Sequence, residues 1–114
     1  MIRTSPLALF AGLLFLALAP PLTAQDVPEG SPDAIAAFAE GMRHYVAGDN
    51  SEAATLFRKA HELDKTFAVA LFMASLAEGN AGNADEARAL REEAWKHKDR
   101  LSSYYRYRLE AVSY

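Results

Sequence analysis

The chain predicts an all-α fold built from stacked helical hairpins, and three observations predict it. Residues 34 to 101 carry one pattern twice, at a fixed period of 34 residues. Each copy contains two segments with apolar residues at helical three- and four-residue spacing. The apolar–polar alternation that strands require never persists. The clearer half of the repeat is G48-D-N-S-E-A-A-T-L-F-R-K-A60 against G82-N-A-D-E-A-R-A-L-R-E-E-A94. Gly48 answers Gly82, Glu52 answers Glu86, Ala53 answers Ala87, Leu56 answers Leu90 and Ala60 answers Ala94.

The first two dozen residues belong to targeting, not to the fold. Arg3 and the amino terminus supply positive charge, an apolar run L7-A-L-F-A-G-L-L-F-L-A-L-A19 follows, and P20-P-L-T-A24 breaks it. This is the layout of a secretory signal peptide spanning residues 1 to 24. The apolar run is short of the roughly 20 residues a bilayer span needs. The expected address is therefore export to a periplasm or the extracellular space, with no membrane association after cleavage. The chain has no cysteine, which excludes a lipid-anchored lipoprotein and leaves no disulfide to support the exported fold. Loss of Arg3 leaves 11 Lys and Arg against 15 Asp and Glu, a net charge of −4. That balance argues against nucleic acid as a partner, since phosphate binding needs a concentrated basic face.

Residues 25 to 32, Q-D-V-P-E-G-S-P, read as a flexible leader. Ser31-Pro32-Asp33 is a strong helix start: serine caps, proline fits the first helical position and aspartate favours the positive helix end. The first helix is predicted from Pro32 to Ala47, where Gly48 ends it. Asp49 with Glu52, and Asn83 with Glu86 one period later, have the spacing of a capping box. They start helices predicted over residues 50–63 and 84–98. Thr66 is the expected cap of a helix that runs to the turn G79-N-A-G82. In the last segment, 102 to 114, Tyr105, Leu109 and Val112 share one helical face. This segment reads as a capping helix or as the start of a third repeat.

Residues 33 to 101, divided as 34–67 and 68–101, resemble the tetratricopeptide repeat family, whose units are 34-residue helical hairpins. The resemblance rests on small residues at fixed unit positions. Gly41, Gly48, Ala53, Phe57 and Ala60 match in the first unit, and Ser75, Gly82, Ala87 and Ala94 in the second. Small side chains at these positions let paired helices approach closely. Seven residues depart from the family pattern: Glu40, Ala37, Leu71, Lys65, Asp99, Arg91 and Glu78, the last in place of a tyrosine. The implied fold is a tetratricopeptide-type helical solenoid of two helix-turn-helix units plus a C-terminal helix.

No constellation for catalysis stands out. H61-E-L-D-K65 begins like a zinc-protease helix, but Lys65 occupies the place of the second metal ligand. His61 is expected to be a solvated helix residue, His44 an interior one, and His97 part of a basic helix end, K96-H-K98. Glu92 and Glu93 point in different directions on a helix, and G79-N-A-G82 is too short to cradle phosphate. Neither an enzyme nor a cofactor or metal is expected.

In the family, the first helix of each unit lines a concave groove. The resemblance puts Ile35, Phe38, Met42, Tyr45, Val69, Phe72 and Leu76 there, a mostly apolar row suited to an amphipathic helix or an extended apolar peptide. The expected function is a non-catalytic protein–protein interaction module that docks a protein or peptide partner on this groove. The alternative is a structural oligomer, associating through the C-terminal helix, or the first part of a longer repeat array with no groove of its own.

Overall fold

The computed structural model describes residues 30 to 112. Residues 1 to 29, which hold the expected signal peptide and most of the expected leader, and residues 113 and 114 lie outside the described residues. Five α-helices follow one another: α1 (Pro32–Val46), α2 (Asn50–Leu63), α3 (Ala68–Asn80), α4 (Ala84–Lys96) and α5 (Ser103–Val112). A short 3₁₀ turn, Lys98–Arg100, separates the last two, so the fourth helix stops two residues earlier than its sequence suggests. No strand occurs among the described residues, and no helix among them is long and apolar enough to cross a membrane.

The helices form two antiparallel hairpins, α1–α2 and α3–α4, joined by packing of α2 on α3, with α5 lying against α3. The 34-residue period is visible in the backbone hydrogen bonds of the two hairpin turns. Ala47 N–H donates to Arg43 and Ala81 N–H to Ala77; Gly48 donates to Tyr45 and Gly82 to Gly79; Asp49 donates to His44 and Asn83 to Glu78. Both turns pass through a glycine at positive φ, +85° at Gly48 and +90° at Gly82. A side chain there would strain the left-handed backbone, so glycine is the residue that closes both hairpins.

Ser31 caps α1 as its sequence predicts: its hydroxyl accepts from the Ala34 amide at 3.3 Å, with Pro32 in the first turn. The leader is anchored at its end, since Ser31 N–H donates to Asp64 Oδ2 at 2.8 Å and Gly30 lies against the Phe67 ring. The capping boxes do not form, because neither Asp49 nor Asn83 makes a side-chain cap bond. Both side chains turn back onto the preceding helix. Asp49 Oδ2 meets His44 Nδ1 at 3.1 Å, and the Asn83 amide donates to Glu78 Oε2 at 2.7 Å. Thr66 does not cap α3 either; Phe67 holds the cap position, and the Thr66 hydroxyl and amide both donate to Asp64 Oδ1.

The core is made of small residues around a few rings. Ala53, Ala54, Ala60, Ala74, Ala77 and Ala94 are fully buried, and α3 is buried on nearly every side. Gly41 shows why smallness matters: a Cβ there would meet the Phe57 ring at 2.8 Å. Helices at that separation have no room for a methyl group without moving the ring. One period on, Ser75 fills the position, buried, with its hydroxyl donating to the Phe72 carbonyl at 2.6 Å.

Candidate docking surface

Of the seven residues expected to line a groove, three lie in the core. Phe38 packs between Phe57 and Phe67, with ring centroids at 5.3 and 5.1 Å. Val69 is buried in the same core cluster. Phe72 is fully buried, with the Tyr105 ring edge-on at 6.0 Å and the Arg108 guanidinium 5.6 Å from its centre. The physical reason is adjacency. Phe67 closes over Phe38 where the hairpins meet, and α5 closes over Phe72 from the other side. Ring surface that would face a ligand in an isolated pair of helices is buried against the chain itself.

The other four residues reach solvent. Ile35 is 37 % exposed. Met42, Tyr45 and Leu76 are half-buried, each with one side on the core. Tyr45 is fixed at both ends: its ring lies 6.3 Å from Phe57, and its hydroxyl accepts from the Asn80 side chain at 3.4 Å. The accessible part of the row is therefore Ile35 with the outer sides of Met42, Tyr45 and Leu76, the last three packed on the core.

The electrostatics are local. Burial pushes the Tyr105 hydroxyl above its ordinary range, with Tyr104 adding to the shift and Arg108 opposing it. Glu78, a departure from the family pattern, is buried and bound twice: Arg58 Nη1 reaches Oε1 at 2.9 Å while Asn83 holds Oε2. This three-residue junction ties α2, α3 and the start of α4 together. The pairing was readable in principle, because His44 with Asp49 and Glu78 with Asn83 are both five residues apart and stand one period apart.

Two of the three histidines differ from their expected settings, while His97 stands at the end of α4 as expected. His61 is half-buried, and its Nε2 atom is enclosed without a hydrogen-bond partner. Burial lowers its pKa, and nearby Lys65 and His97 lower it further, against smaller opposing effects from the Lys65 backbone and Glu93. His44, expected inside, sits at the edge of the hairpin with Asp49 and Glu40 around it. Among the described residues no group of three or more His, Asp or Glu side chains is placed to hold a metal ion.

Comparison of the chain with family models, with curated proteins and with solved structures gave no match.

Proposed function

We propose that this chain is a non-catalytic interaction module of the tetratricopeptide type, exported from the cytoplasm, which docks a peptide or helix of another protein on the strip formed by Ile35, Met42, Tyr45 and Leu76. The observation that carries this reading is the half-burial of Met42, Tyr45 and Leu76 against one rigid core. Such a strip offers apolar contact at little cost in side-chain entropy. The tetratricopeptide reading is supported by the turn bonds repeated at 34 residues and by the glycines of positive φ. Export is supported by the composition of residues 1 to 24 alone.

A structural role is the second reading. It is favoured by the burial of Phe38, Val69 and Phe72 within the chain itself, with Tyr105 of α5 against the Phe72 ring. Charge at Phe38 or Phe72 would test folding and not binding, so the informative change is the double substitution Met42→Glu and Leu76→Glu. In-cell crosslinking and capture, with helicity monitored on the purified variant, separates the readings. The docking reading expects a partner captured by the wild-type chain and lost by at least tenfold in the double variant, with the helical signal retained. Identical captures from both chains would overturn it in favour of the structural role.

A further inference from the structure

The outer side of α4 borders a concavity of about 440 Å³, lined by Arg88, Arg91, Glu92, Trp95 and Lys96, with Val112 of α5 as its far wall. Trp95 and Val112 are 37 % and 42 % exposed, so apolar surface faces water there. The internal repeat indicates the shape that fits. Arg58 and His61 of α2 stand 34 positions before Glu92 and Trp95. That face of α2 borders the second hairpin: Arg58 lies 2.9 Å from Glu78 of α3 and 3.8 Å from Glu86 of α4, and the His61 ring lies 6.5 Å from that of His97, just past the end of α4. Ala54, one period before Arg88, is fully buried, whereas Arg88 is exposed. The corresponding face of α4 borders the concavity, where Val112 of α5 stands across from it.

Charge indicates the chemistry of the occupant. The concavity presents three cations against one carboxylate. Arg88 and Lys96 hold only the neighbouring Asp85 and Glu93 of their own helix, at 2.6 and 3.2 Å, exposed pairs that exchange readily. Arg91 has no ion-pair partner among the described residues. The surroundings have the same sign. Residues 88 to 112 contain seven Lys and Arg against four Asp and Glu, while residues 30 to 87 contain four against nine. A cationic end on an acidic chain steers and orients an anionic partner.

We infer that this concavity docks an amphipathic α-helix of another protein, with its apolar stripe on Trp95 and Val112 and its flanking Asp or Glu side chains on Arg88, Arg91 and Lys96. The site shares no residue with the strip proposed above, so the two stand or fall separately. Trp95 is the sole tryptophan of the chain, which makes its fluorescence a direct report of occupancy. The probe is a synthetic amphipathic peptide of Leu and Ala with Glu flanks. Its controls are the same peptide with Lys flanks and a Glu-rich peptide whose leucines are scattered around the helix. The expected result is a saturable blue shift with the Glu-flanked peptide and at least tenfold weaker binding of both controls. In the double variant Arg88→Glu with Arg91→Glu, checked for retained helicity, the preference should invert toward the Lys-flanked peptide. Should that variant unfold, Arg91→Gln alone is expected to weaken the Glu-flanked peptide several-fold. Equal binding of all peptides, or no saturable change, would overturn the inference. So would saturable binding of laurate without peptide binding, which would make the concavity a small-molecule site. Self-association in sedimentation that disappears in the charge variant would overturn it too, by naming a second copy as the occupant.

Discussion

At the scale of single residues, His61 is the clearest case of sequence and structure giving different answers. Its failed zinc-motif spacing makes it read as a solvated helix residue, yet the residue is not simply solvated. Its Nε2 is enclosed and unpartnered, and its pKa is lowered, first by burial and then by Lys65 and His97. A lowered value means that the folded chain binds fewer protons than the unfolded chain below the ordinary value of 6.5. Stability linked to the neutral ring is therefore present above that pH and is lost as pH falls through the lowered folded value. Replacement of His61 by Phe removes both the orphaned nitrogen and this linkage. The variant is expected to be more stable than wild type by about 1 kcal/mol at pH 7.5, the low end of the cost of an unsatisfied buried group, and by a larger margin at pH 5. Thermal unfolding at the two pH values checks this, and a margin that does not widen in acid would show that the ring does not titrate with folding.

At the scale of elements, helix positions were legible because they depend on local signals. Ser31 and Pro32 start α1, and Gly48 and Gly82 close the hairpins, all without reference to tertiary contacts. What the sequence misassigned were side chains with two local options. Asp49 and Asn83 have the spacing of helix caps, but each lies five residues after a side chain that can bind it, and that pairing prevails in both turns. Glu78 illustrates why this matters to the packing. It departs from the tetratricopeptide pattern, yet it anchors Arg58 from α2 and Asn83 at the start of α4. Removing the carboxylate by Glu78→Ala leaves Arg58 half-exposed without its nearest partner and opens the junction of three helices. The expected loss is about 2 kcal/mol, below that of a fully buried pair because Arg58 retains access to water. Glu78→Gln, which can still accept from Asn83, should lose less. Urea unfolding of the two variants ranks them, and equal losses would assign the whole effect to the Arg58 charge pair.

At the scale of the whole molecule, the apolar row was legible as a pattern but not as a surface, because exposure is decided by what lies across from a residue and not by the helix it stands on. Phe38 and Phe72 occupy equivalent positions and are buried by different neighbours, Phe67 in one case and Tyr105 in the other. The second of these depends on α5, which is attached mainly through Leu109, fully buried, and through Leu101 at the preceding turn. A linear stack of helices gains stability from nearest neighbours, so its terminal helix can detach without unfolding the rest. Leu109→Ala removes the main buried side chain of α5, at a cost of about 2–5 kcal/mol for a side chain of this kind. That is as large as the local stability such a terminal helix can have, so the loss should fall on α5 and not be shared by the hairpins. Hydrogen exchange is expected to accelerate over residues 103 to 112 while α2 and α3 keep their protection. The Phe72 ring, freed of Tyr105, would then become a docking surface in fact as well as in pattern. A Leu109→Ala chain that captures more apolar peptide than wild type would identify α5 as the cover of that surface. A uniform loss of protection throughout the chain would instead make α5 part of one cooperative core.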